Sequence, residues 1–452
     1  MLRTHTCGEL DKSFKDKNVI LTGWVNIVRS KGKIAFIDLR DRYGITQIFV
    51  KDNLMSIINQ LKREYVIQVK GKVNVRPTPN KELTTGEIEV HADEIKILSE
   101  ADSLPLEFEN VTSNDDTRLK YRYLDLRNSK MQKNIEQRHK IIKTMRDFLD
   151  KQGFLEIETP ILAKSTPEGA RDYLVPSRIN PGSFYALPQS PQLFKQLCMV
   201  SGFDKYFQVA RCFRDEDLRA DRQPEFTQLD IEMSFVEEKD IYDLMEKMIV
   251  NLFKEVLNVK IIIPFPRITY EEAMKKYNSD KPDTRKDGER FSFLWVTDFP
   301  MFEYSEEEKR WVSKHHPFTH PVEKYIDLLK SHPAKVKSRA YDLVLNGSEI
   351  GGGSIRIHDQ EVQSKVFDAL GISKKEAEEK FGFFLEALRY GTPPHGGIAF
   401  GIDRLTAIMV GEESIREVIA FPKNKNAEDL MTGAPSAVNK SQLTELSLSV
   451  KK

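Results

Sequence analysis

The chain has 452 residues, and its 69 Lys and Arg balance 69 Asp and Glu to a formal net charge of zero. That length suggests about two to four domains, and the balanced charge supplies no global field toward nucleic acid, so any RNA contact must come from local patches. Cys7, Cys198 and Cys212 form no C-x-x-C pair, which argues against structural zinc and disulfides; without an apolar leader or an apolar run of about 18 residues, the expectation is a cytoplasmic protein with no membrane partner.

In the first hundred residues, 19–28, 34–39, 45–50, 65–76 and 87–98 read as strands, with a helical patch at 56–62. Five strands with a helix at that place match an OB-fold β-barrel, whose common use is binding single-stranded nucleic acid on aromatic platforms flanked by cations. Arg29, Lys31 and Lys33 fall in the first hairpin loop, Phe36 on the second strand and Gln47 on the third. Phe36 reads equally as a core residue. Residues 101–127 are charged and non-periodic, as in a linker or hinge.

The second domain, 128–452, opens on a helical pattern at 128–152 stopped by Gly153, followed by a short strand closed by Pro160. Residues 165–198 are polar, with Glu168 after a Thr-Pro turn and Gln192 and Lys195 three apart on one helix face. The stretch Arg211 to Glu232 then places four Arg and seven acidic residues in a segment without Lys, between apolar runs. It reads as two strands joined by a charged loop, with Gln228, Asp230 and Glu232 on one face of the second strand and Leu229, Ile231 and Met233 on the other. Exclusive use of Arg suits bidentate contacts to phosphate or carboxylate, although a solvated, salt-bridged hairpin would read the same.

Helices at 238–257 and 270–277 follow, then His315-His316 and an alternating strand at 341–345. Gly351, Gly352 and Gly353 interrupt the next strand, where close approach of a ligand is the usual reason. Asp342 and Glu349 offer oxygen ligands for Mg²⁺, and Arg356 could grip a carboxylate bidentately. Gly396 to Leu405 reads as strand, tight turn and helix, with Asp403 as the cap.

The charged hairpin, worded FRDEDLRADRQPEFTQLD, resembles motif 2 of the class II aminoacyl-tRNA synthetases and is close to bacterial-type aspartyl-tRNA synthetases. The helix and strand of 128–160 resemble motif 1, which implies a homodimer, and Gly396 to Leu405 resembles motif 3. The resemblance implies an α+β protein: an N-terminal five-stranded OB-fold anticodon-binding barrel, 1–100, and a catalytic domain on an antiparallel sheet. It implies ATP and L-aspartate as substrates, with Mg²⁺, and tRNA as the partner that receives the aspartyl group.

By the same likeness Glu168 and Gln192 hold the aspartate ammonium, while Lys195 and Arg356 take its side-chain carboxylate, with Asp230 and His315 beside them. Arg214 contacts the α-phosphate of ATP and Arg404 the γ-phosphate, with Asp215, Glu216, Gln223, Glu349, Gly401, Ile402 and Asp403 completing the nucleotide site. On the barrel Phe36 stacks on an anticodon base, Arg29 and Gln47 read base edges, and Asn80 and Glu89 face the RNA. Lys195 and Arg356 together favour an anionic amino acid, against an asparaginyl or lysyl enzyme. A non-catalytic RNA-binding paralogue would be expected to lose Arg214, Glu349 or Arg404, and all three are present. One departure stands out: the family's large inserted domain normally follows the Tyr277 to Arg285 stretch, and here only residues 286–293 precede LWVTDFPMFE. Charging of asparagine tRNA as well as aspartate tRNA remains open on these residues.

Overall fold

A computed structural model describes residues 1–107, 113–166, 170–218 and 221–450. The chain forms two compact units, Met1–Thr112 and Ser113–Lys452. The first is a closed barrel of β1 (Asn18–Lys31), β2 (Ile34–Arg40), β3 (Ile45–Lys51), β4 (Val66–Val75) and β5 (Ile88–Ser99) in the order β1-β2-β3-β5-β4. Period-two alternation fills it: Leu21, Val25, Ile37, Leu39, Ile48 and Val50 point inward and are buried. Phe36 therefore stands on the outer side of β2, half-buried, and is not part of this core. The expected helix at 56–62 is only one turn, α1 (Met55–Ile58), continued by tight turns to Leu61. One turn suffices to seat Ile58 and Leu61 in the barrel core.

The second unit begins with α2 (Asp115–Lys120) and α3 (Arg122–Asp125), where the sequence suggested a linker. Charge misled here, because the charges are buried pairs. Arg122 is 2% exposed, binds Asp125 at 2.5 Å, and donates to the carbonyls of Arg416, Ile419 and Ala420. Arg118 joins Asp125 to Glu417. Next come α4 (Ser129–Lys151), capped by Asn128 and ended by Gly153 at φ +78°, then β6 (Leu155–Glu156), β7 (Leu174–Pro176), β8 (Phe184–Ala186), α5 (Gln192–Val200), β9 (Lys205–Phe213) and β10 (Glu225–Ser234). They are followed by α6 (Glu238–Leu257), β11 (Arg267–Thr269), α7 (Tyr270–Tyr277), β12 (Phe293–Thr297), β13 (Phe302–Ser305), β14 (Arg310–Ser313), β15 (Ala340–Leu345) and β16 (Ser348–Ile355). The unit closes with α8 (Gln360–Ala369), α9 (Lys374–Ala387), β17 (His395–Gly401), α10 (Ile402–Val410) and α11 (Lys440–Glu445).

Eight of these strands form one sheet in the order β11-β12-β15-β16-β17-β10-β9-β6, antiparallel except for its two edge pairs, β11 with β12 and β6 with β9, which are parallel. One face packs on helices: Leu229, Ile231, Leu343 and Phe400 join Met145 of α4, Met245 of α6 and Leu405 of α10 in the main core. The same alternation turns Gln228, Asp230 and Asp342 to the other face, where a cavity lies. Among the described residues no helix is long and apolar enough to cross a membrane.

The segment after Arg285 closes tightly. The Glu289 amide donates to the Lys286 carbonyl, Gly288 sits at φ +78°, and Ser292 leads directly into β12 with its amide on Asn346.

Arg122→Ala is expected to cost several kcal/mol, because it leaves three carbonyls without their donor and the buried Asp125 carboxylate with Arg118 alone. A thermal melt with the same midpoint as the wild type would show that this network contributes little.

Candidate active site

The cavity on the polar face of the large sheet has a volume of about 690 Å³ and is lined by residues of α5, β10, β15, β16 and the 313–319 segment. Its floor holds four buried charges. Lys195 Nζ lies 2.9 Å from Asp230 Oδ1 and 3.4 Å from Glu232 Oε2, and Arg356 grips Glu232 through Nε and Nη2 at 2.9 and 3.1 Å. All four are at most 1% exposed. Alternation on β10 supplies both acids, the first turn of α5 supplies Lys195, and Arg356 follows the last residue of β16. Space for the Glu232 carboxylate comes from its cross-strand neighbour Gly397, where a side-chain carbon would approach Glu232 Oε2 to 2.1 Å.

The sequence alone leaves Glu232 out of the site and presents Lys195 and Arg356 as cations waiting for a substrate carboxylate. The structure corrects this: each already has a protein carboxylate, so an incoming carboxylate joins a balanced quartet rather than neutralising two bare charges. Burial alone would raise the Glu232 pKa, but Arg356 and Lys195 outweigh it and hold the group below the ordinary carboxylate range. Its stabilising contribution is therefore complete above about pH 4.3, the ordinary glutamate value, and is lost as pH falls through the depressed one. Asp230 Oδ2 is buried with no partner among the described residues, an open acceptor beside Lys195.

Both histidines of the 315–316 pair line the cavity, and the structure gives them different partners. His316 Nε2 is 2.8 Å from Arg356 Nη1 and its Nδ1 is 3.2 Å from the Phe318 amide, so both ring nitrogens face donors. Burial, helped by Arg356, pushes its pKa well down and keeps it neutral. His315, the residue favoured from sequence, faces Asp342 at 3.5 Å instead. Burial works against its protonation, but Asp342 and Glu349 prevail and raise its pKa.

Asp342 and Glu349 flank Gly352, where a side chain would meet Asp342 Oδ1 at 2.6 Å and Glu349 Oε1 at 3.3 Å. Of the three consecutive glycines only this one faces the cavity acids. Gly351 is packed against the Phe400 ring and Gly353 against the Gly397 carbonyl. The negative charge of Asp342, and then burial, raises the Glu349 pKa. A repelling carboxylate pair whose Asp342 Oδ1 accepts no hydrogen bond among the described residues, with only the His315 ring 3.5 Å away, suits a divalent cation that takes one or two protein carboxylates.

Of the described arginines in the charged loop, Arg211 pairs with Glu225 at 2.5 Å and Arg222 with Glu216 at 2.8 Å, so the hairpin is partly salt-bridged. Arg214 differs: it lines the cavity, its guanidinium lies 5.1 Å from the Phe226 ring centroid, and its Nε has no partner among the described residues. Gln192, Glu216 and Glu349 also line the cavity, and Arg404 reaches its wall by donating to the Glu349 carbonyl at 2.5 Å.

Other residues expected at the nucleotide have protein partners of their own. Gln223 uses both ends of its amide on the Lys423 backbone. Asp403 is not the helix cap, which is Gly401; its buried carboxylate holds Arg138 and the Thr227 amide. Ile402 belongs to the main core. Asp215 pairs with Arg171, 3.6 Å away, off the cavity. Glu168 lies outside the described residues.

On the barrel, Phe36, Phe49 and His91 form an outward-facing row with ring centroids 5.6 and 4.6 Å apart. Arg29 is held by Asp38 at 2.7 Å through both terminal nitrogens, and Gln47 donates to Glu89 at 2.8 Å. Asn80 is spent mainly on a turn, accepting from the Glu82 amide and donating its own amide to Gly86.

Comparison with known proteins bears on both units. Residues 114–425 match the family of class II tRNA synthetases (D, K and N), and residues 19–98 match the OB-fold nucleic acid binding domain family. The chain is 46% identical to an aspartate–tRNA(Asp/Asn) ligase of Thermotoga maritima over 580 aligned positions that cover 100% of both chains. It is 47% identical to an aspartate–tRNA ligase of Thermosipho africanus over 575 positions, 99% of this chain and 98% of the relative. Since the chain has 452 residues, an alignment of 580 positions leaves at least 128 with no counterpart here. Among solved structures, an aspartyl-tRNA synthetase from Entamoeba histolytica superposes with a TM-score of 0.74 at 25% identity, covering 92% of this chain and 90% of that one. An asparaginyl-tRNA synthetase from Pyrococcus horikoshii, complexed with asparaginyl-adenylate, gives 0.77 at 24% identity, over 93% and 98%.

Arg356→Leu is expected to destabilise the unit by about 3–5 kcal/mol, because Glu232 is left buried and half-compensated. Adding Glu232→Gln should recover most of the melting temperature without restoring ligand binding. A single variant that melts like the wild type would show that the quartet is not an integrated unit.

Proposed function

The chain belongs to the class II tRNA synthetases of the D, K and N group, and from that premise we propose that it joins L-aspartate to tRNA in two steps. In the first, an aspartate carboxylate oxygen attacks the α-phosphorus of ATP, giving aspartyl-adenylate and pyrophosphate. In the second, a hydroxyl of the terminal ribose of tRNA attacks the aspartyl carbonyl and releases AMP. The observation that carries the choice of amino acid is the Lys195–Asp230–Glu232–Arg356 quartet.

The first step asks mainly for positioning and charge stabilisation. Lys195 and Arg356 present donors to the aspartate side-chain carboxylate, whereas an asparagine NH₂ would meet these donors with only Asp230 Oδ2 open to accept from it. Sites built around a polar partner reject the mismatched analogue by about 10⁴-fold or more. Arg214, free of ion pairs among the described residues, is suited to the α-phosphate, and Arg404 to the outer phosphates. Asp342 and Glu349 would hold Mg²⁺, which when bound offsets the charge of the ATP phosphates.

The Phe36–Phe49–His91 row supports anticodon stacking by the barrel. Exposed Leu155, Ile161, Leu162, Leu174 and Ile179 support a homodimer through the first elements of the catalytic unit. Three free cysteines suit a cytoplasmic setting. The family's inserted domain would fall at the tight closure of 286–289, none of whose residues lines the cavity. Relatives named for both aspartate and asparagine tRNA are compatible with a second reading, in which this chain also charges asparagine tRNA. Charging assays with the two purified tRNAs decide between them.

Arg404→Ala should abolish aspartate-dependent pyrophosphate exchange while the protein stays folded; near-normal ATP binding in that variant would remove Arg404 from the nucleotide site. Phe36→Ala should weaken aspartylation of tRNA by about 1–3 kcal/mol, the worth of one stacked base, and leave exchange unchanged. Equal damage to both activities would mean that Phe36 supports the fold.

A further inference from the structure

Behind the cavity wall runs a chain of side chains that the catalytic reading does not use. Gln192 Nε2 donates to Gln196 Oε1 at 2.9 Å, Gln196 Nε2 lies 3.0 Å from His395 Nε2, and His395 Nδ1 lies 2.8 Å from the Pro393 carbonyl. Gln196 and His395 are fully buried and Gln192 is 5% exposed. Gln192 alone of the three lines the cavity.

The donors and acceptors along this chain permit one arrangement for a neutral ring. The Pro393 carbonyl can only accept, so His395 Nδ1 carries the hydrogen. His395 Nε2 is then an acceptor, so Gln196 must turn its NH₂ toward it and its oxygen toward Gln192. Gln192 in turn must spend its NH₂ on that oxygen. Its own Oε1, which makes no hydrogen bond among the described residues, is the end left for the cavity. The ring is held neutral: burial is the largest influence, Arg356 and His358 add to it, Glu232 and the Pro393 contact oppose it, and the pKa falls to about 4. His395 is also anchored through its backbone, since its carbonyl accepts from the Arg356 amide and its Cα faces Ser234 on β10.

We propose that His395 and Gln196 are positioning residues that fix the orientation of the Gln192 amide, so that Gln192 presents a carbonyl oxygen, and not an NH₂, to the α-ammonium of the bound amino acid. This rests on the reading of the cavity as an aspartate site. A free glutamine amide would offer either end, and the wrong end would set a donor against an ammonium. The relay removes that choice before substrate arrives, which is preorganisation rather than an added contact.

The test compares L-aspartate with succinate, the same dicarboxylate without the ammonium, as substrate and competitive inhibitor of aspartate-dependent pyrophosphate exchange. In Gln196→Leu and His395→Leu the KM for aspartate should rise about tenfold or more, the loss of a hydrogen bond to a charged group. The Ki for succinate and the KM for ATP should stay at wild-type values. His395→Gln, whose amide oxygen can accept in place of Nε2, should recover much of the aspartate KM. Equal weakening of succinate, or no rescue, would reduce both residues to packing and overturn the proposal. Should the leucine variants not fold, the imidazole ¹⁵N resonances of the wild type test the same point: a neutral ring protonated at Nδ1 is required, and one protonated at Nε2 overturns the relay. A wild type without any aspartate-dependent exchange would overturn the aspartate reading itself, whereas an active wild type with unaffected variants would overturn only the relay.

Discussion

The catalytic unit depends on burying four charges together. Lys195 and Arg356 could not be at most 1% exposed unless Asp230 and Glu232 lay within hydrogen-bonding reach, since an isolated buried ion costs several kcal/mol that no packing around it returns. Meeting that condition fixes much else. β10 must run between β9 and β17, α5 must lie over its polar face, and Gly397 must leave room for the Glu232 carboxylate. The quartet therefore specifies the arrangement of the sheet as much as it forms a binding floor.

Around that floor the polarity is graded. His316 stays neutral against Arg356, while His315, one residue away, is drawn toward protonation by Asp342 and Glu349. Like side chains in adjacent positions thus acquire different character from opposite charges. The end of the cavity at Lys195 and Arg356 is electrically satisfied by the protein, whereas the end at Asp342 and Glu349 is under mutual repulsion. A substrate that brings phosphates and a divalent cation suits the second, and one that brings a compact zwitterion with an extra carboxylate suits the first.

The barrel uses another economy. Its inward strand residues are mostly aliphatic and close the core, and the aromatic side chains Phe36, Phe49 and His91 stand on the outer surface. The chain is shorter than its aligned relatives, yet both units are complete sheets with closed cores. The residues missing relative to those proteins are not needed to bury either core.

Period and residue type alone determined the elements that bury one face. The five barrel strands, the helices at 238–257 and 270–277, the polar and apolar faces of β10, and the use of Gln192 and Lys195 from one side of α5 are all legible, because amphipathic alternation is local information. What failed has a common cause: sequence shows a polar residue but not its partner. Residues 115–125 look like a solvated linker until Arg122 finds three carbonyls some three hundred residues away in the chain. Gln223, Asp403 and two of the consecutive glycines likewise have neighbours that the sequence does not show, namely Lys423, Arg138, the Phe400 ring and the Gly397 carbonyl. Glu232 looks like one more strand residue, and Gln196 and His395 carry no signal beyond helical spacing and a neighbouring glycine pair. Their roles come from long-range pairing across β10, β16 and β17, and only the tertiary structure decides which donor meets which acceptor.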